Sequence, residues 1–350
     1  MPLKQEIFFN QKGLVMRLFL CVVAFLLSTA CSATSAVGFV RPFEAAAQEY
    51  YHLLLEEKYS TLEKSAKESR LNNLSISDGQ PKLAAIYGGL SGCLSSGCQD
   101  RLSEQEWQER LRLLLVWREK HPESVTAEIA HAGFFVEHAY AIRGKGYANT
   151  VKADLWPLFY KSMETARGLL EGASPAAKND PGWYAAMLQV GVAQHWPVDK
   201  FHEVYARGKK QVPLYTPLYF AASSYFSPRW YGSTQELKKF IEDAVNATHP
   251  QIGETLYARL NWSLQTPTML RDGQAEWPRM KAGFERIMAD FPDSWNINNF
   301  AKFACWAKDY STALGLAEKI GDRPIAAAWS GNPDNYRVCL EQARHAMQKK

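Results

Sequence analysis

Beyond the N-terminal apolar run, hydrophobic positions recur at helical spacing, and period-two runs of β-branched residues are almost absent. Ala46, Tyr50, Leu53 and Leu54 form one stripe, and Tyr59, Leu62 and Ala66 form a second after Glu56-Glu57-Lys58. Steps of three and four place such side chains on one helix face, which must be buried. Residues 72–81 read as a polar turn ending in Pro81, and Leu83 to Leu90 as a short helix. Ser103 with Glu106 makes a capping box, each side chain satisfying an orphan amide at a helix start. The helix it opens carries Trp107, Leu111, Leu114 and Leu115 on one face. The predicted fold class is all-α.

From His121 the pattern becomes regular. Pro122, Pro181, Pro213 or Pro217, Pro250 and Pro292 each precede an apolar helix rich in aromatic and small residues. Proline suits a helix start because its missing amide would have had no partner there. A break and a second amphipathic helix follow each time. The expected pairs are 123–143 with 154–171, 182–194 with 198–211, 215–226 with 234–247, 251–265 with 276–290, and 294–307 with 310–320. The later starts are separated by about 32 to 42 residues, within the range of helical-hairpin repeats. Ser233 and Glu236 offer a second capping box. In the last pair, Phe300, Ala301, Ala304, Ala313 and Ala317 fall where tetratricopeptide repeats place a large residue, small crossing residues and an apolar contact. The expected architecture is a tetratricopeptide-like helical-repeat solenoid of antiparallel helix pairs. It divides into an N-terminal helical region, 31–120, and a hairpin array, 121–346.

Scattered motifs in this array resemble a bacterial group known as domain-of-unknown-function family 4034. They are Arg143-Gly144-Lys145-Gly146-Tyr147-Ala148 with Val151 and Trp156, Asp180-Pro181-Gly182-Trp183-Tyr184, Tyr219, and Ser227-Pro228-Arg229-Trp230-Tyr231-Gly232-Ser233. Tyr257-Ala258-Arg259, Trp262, Trp277-Pro278-Arg279-Met280-Lys281-Ala282-Gly283-Phe284 and Trp295-Asn296-Ile297-Asn298-Asn299-Phe300-Ala301 complete the set. The resemblance spans roughly residues 120–340 and implies a helical-repeat fold. It brings no activity with it.

The N-terminus changes the picture of where such an array works. Arg17 leads into Leu18 to Leu27, and Ser28-Thr29-Ala30-Cys31-Ser32-Ala33 follows. A basic residue, a short apolar run and small residues describe a secretory signal over residues 1–30, too short for a stable membrane span. Met16-Arg17 would make a normal start, which leaves residues 1–15 outside the signal proper. Leu27-Ser28-Thr29-Ala30-Cys31 resembles a bacterial lipobox, making Cys31 the lipidation candidate; cleavage after Ala33 or Ala36 is the alternative. The expected location is the periplasm or outer membrane, lipid-anchored or free. Removing residues 1–30 takes three basic and one acidic residue from the 40 and 36 present, leaving 37 against 35 and a net charge of +2. So near a balance predicts no nucleic-acid partner, and no membrane contact other than the lipid anchor.

Cysteines sharpen the compartment. Of six, four remain beyond Cys21 and Cys31. Cys93 and Cys98 flank a Gly- and Ser-rich loop that permits a small disulfide ring; free thiols are the alternative, and a zinc site lacks two further ligands nearby. Cys305 and Cys339 fall in predicted helices, where burial as small apolar residues and a mutual bond are equally expected.

Candidate chemistry is sparse. His131 and His138 lie two turns apart, beside Glu128 and Glu137, yet they flank an apolar stripe where histidines commonly bond locally. No catalytic or phosphate-binding motif is present, and no cofactor or metal is expected. Arg143-Gly144-Lys145-Gly146 is either an anion cradle or a helix end with glycine terminators. Trp183, Tyr184, Trp196, Tyr215, Tyr219, Tyr225, Trp230 and Tyr231 crowd into about fifty residues, enough to line a groove or fill a core. The expected function is therefore an exported bacterial envelope scaffold, without catalysis, that binds a protein or peptide. Arg143, Lys145, Trp183, Tyr184, Trp230 and Tyr231 are the expected partner-binding residues, on the inner face of the array. A glycan-binding or glycan-hydrolysing protein is the alternative, drawing on the aromatics with Glu137, Glu203 and Glu236.

Overall fold

The computed structural model describes residues 39–92, 102–144, 146, 148–249, 251–264 and 268–349. The signal segment with Cys31, the Cys93/Cys98 loop, Lys145 and Pro250 lie outside the described residues. Among those described, the structure is all helix, with one isolated bridge between Ser75 and Pro81. The helices are α1 (Pro42–Leu55), α2 (Tyr59–Asn72), α3 (Lys82–Ser91), α4 (Glu104–Lys120), α5 (Val125–Arg143), α6 (Leu155–Glu171), α7 (Pro181–Ala193) and α8 (Val198–Gln211). They continue as α9 (Pro217–Phe226), α10 (Thr234–Thr248), α11 (Gly253–Leu264), α12 (Trp277–Asp290), α13 (Ser294–Trp306), α14 (Tyr310–Ile320) and α15 (Asp334–Gln348).

Helix starts are set by local chemistry. Ser103, Ser124, Asp180, Ser233, Asp293 and Asp309 each accept an amide of the first turn, and Pro181 and Pro217 open their helices. Each such cap contributes about 1 kcal/mol. The five expected pairs form, α5/α6 through α13/α14. Helices two apart in the chain also pack on one another: α3 on α5, α5 on α7, α7 on α9, and α9 on α11. Because α1 packs on α3, the N-terminal helices share the core of the array, and Val40–Lys350 is one compact unit.

Small residues sit where helices cross. A Cβ on Gly283 would stand 2.1 Å from the carbonyl oxygen of Glu254, so α11 and α12 approach at backbone distance. Ala301, Ala304 and Ala313 are buried where α13 meets α14. Aromatics fill the space between pairs; Tyr184, Tyr219, Tyr257, Phe159, Phe201, Phe284 and Phe303 are fully buried. Burying one such side chain contributes about 1.5–3 kcal/mol.

Two local expectations are corrected. On α4 the buried face is Trp107, Arg110, Leu113, Leu114 and Trp117, while Leu115 is exposed. Arg110 turns inward because its guanidinium lies 3.7 Å from the Tyr51 ring centre and donates to the Gly89 carbonyl near the end of α3. The 73–81 segment is more than a polar turn. Its Asp78 is buried, and the Asp78 carbonyl accepts from Arg259 Nη2 at 2.6 Å and Asn296 Nδ2 at 3.0 Å. Gly79 takes φ +84°, and a Cβ there would meet the Phe291 ring at 2.5 Å. This segment therefore straps the N-terminal helices to α11 and α13. A simple repeat array touches only neighbouring units; this one carries a long-range strap.

At the C-terminus, Cys305 of α13 bonds Cys339 of α15 across a Cα–Cα distance of 5.9 Å. Closing a loop of 34 residues stabilises by about 3–4 kcal/mol in the chain-entropy account.

Candidate functional site

Antiparallel pairing makes α5, α7 and α9 run in one direction, so their C-terminal ends fall on one edge. The first turns of α6 and the 227–232 segment join them there. Glycine ends α5: Gly144 adopts φ +70°, a left-handed value disfavoured for a side chain with Cβ. Arg143 then folds back, Nη1 donating to the carbonyls of Gly144 and Gly146 at 3.2 Å each. Its guanidinium lies 5.0 Å from the Trp230 ring centre and 5.9 Å from that of Trp156. The Arg143 Nε is buried and has no hydrogen-bond partner among the described residues.

The rings form one connected cluster. Tyr140 meets Trp230 edge-on at 6.4 Å and Phe159 at 6.0 Å. Tyr160 stacks on Trp156 at 5.7 Å. Tyr231 lies parallel to His195 at 3.7 Å, and its hydroxyl donates to the Val192 carbonyl at 2.9 Å, which fixes the ring. Tyr225 underlies it at 5.7 Å. Unlike core aromatics, Tyr160 is 50% exposed and Tyr231 38%.

Glu137 is the odd charge in this setting. It stands one turn before Tyr140 on α5, so the two share a face. Half-buried and crowded by protein, its carboxyl is pushed up to about 7 by burial, the sole cause of the shift. The Tyr140 hydroxyl is raised too, by burial first and then by the Glu137 charge.

The remaining expected residues are elsewhere. Trp183 and Tyr184 are in the core: Trp183 Nε1 donates to the Leu170 carbonyl at 2.8 Å, tying α7 to α6, and Tyr184 is wholly buried. The reason is that α7 is surrounded by α3, α5, α6, α8 and α9, so nearly every side of it faces protein. As placed here, neither ring is available to a partner. His131 turns toward α4, its Nδ1 3.0 Å from Arg118 Nη1; burial, then Arg118, pushes it down to about 4. His138 packs on Trp107 and Phe134, 3.7 Å from Glu104. No group of three or more metal-ligating side chains occurs among the described residues. Glu203 and Glu236 stand exposed on α8 and α10. Tyr140, Phe159, Tyr160 and His195 are the cluster members that the sequence left unmarked. Tyr140 follows Glu137 by one turn and lies within one turn of Arg143, which is the signal that points to it.

A second polar cluster was not foreseen. Arg70 of α2 pairs with the fully buried Asp180 side chain and donates to Tyr87 and Thr126, both at 2.9 Å. Tyr87 donates to Asp180 at 2.8 Å, and Thr126 donates to Glu63 at 2.8 Å. Burial opposes the Arg70 charge, but Tyr87 and Asp180 hold its pKa above the ordinary value. Every member has a partner.

No known protein family, curated protein or solved structure matches the chain.

Proposed function

We propose that this protein is an exported bacterial envelope protein that binds a protein or peptide partner, without catalysis, on a tetratricopeptide-like helical-repeat scaffold. The observation that carries this is the edge at Tyr140, Arg143, Trp156, Tyr160, Trp230 and Tyr231, where partly exposed rings gather around a guanidinium whose Nε has no hydrogen-bond partner among the described residues. Aromatic and arginine side chains dominate the energetics of protein interfaces. The signal-like N-terminus and the Cys305–Cys339 bond support an oxidising compartment, since structural disulfides persist there. No helix among the described residues is long and apolar enough to cross a membrane, in keeping with attachment through Cys31 or with a free protein. The resemblance to family 4034 belongs to this proposal as support for the repeat fold only.

The glycan reading rests on the same exposed rings and on Glu137, whose pKa would suit a general acid. Hydrolysis needs a second carboxyl about 5–10 Å away across a cleft. Glu203 and Glu236 belong to the second helices of other pairs, and no other carboxylate perturbs Glu137.

A photo-crosslinking residue at Tyr160, introduced in cells, tests the partner-binding proposal. It should trap a defined envelope component far more efficiently than the same residue at exposed Val338 on α15. Equal trapping at both positions would remove the edge from consideration.

A further inference from the structure

We propose that Arg143 anchors a carboxylate of the peptide partner, gripping it through the Nε and Nη2 edge of its guanidinium beside Trp156 and Trp230. This rests on the partner-binding reading of the same edge and names the chemistry it selects.

The first support is an empty fork. Nε and Nη2 lie on one side of a guanidinium and together match the two oxygens of a carboxylate. Elsewhere in this fold that fork is filled. Arg41 holds Glu44 through it at 3.1 and 2.8 Å, Arg112 holds Glu109 at 2.8 and 2.7 Å, and Arg279 holds Glu254 at 3.2 and 3.1 Å. Arg143 spends Nη1 on the Gly144 and Gly146 carbonyls, and neither Nε nor Nη2 has an acceptor among the described residues. A sheltered donor without an acceptor is costly, and a ligand that supplies one recovers that cost. Arg110 marks the limit of the argument from an empty fork. Its Nε and Nη2 also lack acceptors, but the residue is fully enclosed, so no ligand reaches it. Arg143 is partly exposed at the end of α5, where a ligand can approach.

The second support is how the fork is held. The Nη1 bonds to two carbonyls, with indole rings centred 5.0 and 5.9 Å away, fix the guanidinium before any ligand arrives. Little side-chain freedom is then lost on binding. The rings also keep water at a distance, which strengthens a charge-assisted hydrogen bond. No carboxylate among the described residues neutralises this cation; Glu137, on the same helix, is moved by burial alone. A carboxylate carried by a peptide brings apolar atoms to lie on the exposed Tyr160 and Tyr231 rings, whereas an inorganic anion brings none.

Calorimetric titration of the whole processed protein near neutral pH provides the test. The probes are acetyl-tetraglutamate amide, its tetraglutamine counterpart, acetyl-tetra-alanine with a free C-terminus, its amide, and inorganic phosphate. A carboxylate peptide should bind about tenfold or more tightly than its neutral counterpart. Which of the two binds distinguishes a side-chain carboxylate from a C-terminal one. Arg143→Lys keeps the charge and loses the fork, so it should weaken that binding by about tenfold. Lys319→Gln removes an exposed charge on α14 and should bind as the native protein does. Because Arg143 also secures the end of α5, melting temperature is measured beside affinity. A second measurement uses the native protein alone: the Arg143 Nε–H resonance, assigned by its loss in Arg143→Lys, should move as the peptide is added. No binding by either carboxylate peptide, equal binding of the neutral counterparts, tighter binding of phosphate, an indifferent Arg143→Lys variant, or an unmoved Nε–H resonance overturns the carboxylate site. If Tyr160 still crosslinks a partner in cells while these titrations fail, the carboxylate assignment falls and the partner surface stands. If both fail, the surface falls as well.

Discussion

Two polar clusters of this molecule contain the same kinds of side chain and are built to opposite ends. Around Asp180 an arginine, a tyrosine and a threonine close on one another, and the carboxylate has no contact with solvent. Around Glu137, one turn before Tyr140 on α5, the carboxylate forms no hydrogen bond or ion pair among the described residues. The first cluster joins α2, α3, α5 and the start of α7, where a missing partner would leave a buried charge. The second lies at an edge that water reaches. A satisfied network holds elements together; an unsatisfied one at a half-exposed edge leaves binding capacity for something else. Composition alone does not separate the two.

The largest expected effect breaks that contrast directly. Arg70→Leu leaves Asp180 buried without its cation, and removing one partner of a buried pair costs about 3–5 kcal/mol. Glu137→Gln removes a charge that nothing in the fold compensates, so it should leave stability unchanged or raise it near neutral pH. Denaturant melts of the two variants decide the matter. A mild Arg70→Leu beside a severe Glu137→Gln would reverse the roles assigned here.

The strap comes next in size. Gly79→Ala puts a Cβ at a left-handed backbone position and against the Phe291 ring. A cost of about 1–3 kcal/mol follows from strain and overpacking together. Limited proteolysis should then cut within residues 73–81, which the native contacts to Arg259 and Asn296 protect. A variant with native stability and no new cleavage would show that the segment rests on the array without holding it.

How far these features were legible depends on whether their cause is local. The five helix pairs could be read because caps, N-terminal prolines and apolar spacing act within a few residues. Ser124, Asp180, Pro181 and Ser233 each declare a helix start from their own neighbourhood. Arg110 could not be read: its burial depends on Tyr51 and the end of α3. The strap was equally hidden, because Ser77, Asp78 and Gly79 have turn composition and their partners lie about two hundred residues away. At the edge, Arg143, Trp230 and Tyr231 were found because a cation and two aromatics lie at chain breaks. Trp183 and Tyr184 shared that composition but sit where α7 is enclosed on nearly every side. Residue type was visible in those positions; direction was not.

The smallest expected effect sharpens the comparison through pH. Glu137 and His131 occupy the same helix, and burial shifts them in opposite directions. The Glu137 carboxyl rises from an ordinary 4.5 to about 7, so the folded protein holds that proton more tightly than the unfolded chain does. Its contribution to stability is full below about 4.5 and is lost as pH rises through about 7. His131 falls from 6.5 to about 4, so the unfolded chain takes up the proton first. Its contribution is full above about 6.5 and is lost as pH falls toward about 4. Melts from pH 4 to pH 8.5 should therefore show Glu137→Gln gaining on the native protein only at the alkaline end. His131→Gln should gain on it only at the acidic end. The His131 effect should be the firmer of the two, because that ring is 7% exposed while the Glu137 carboxyl is partly open to water.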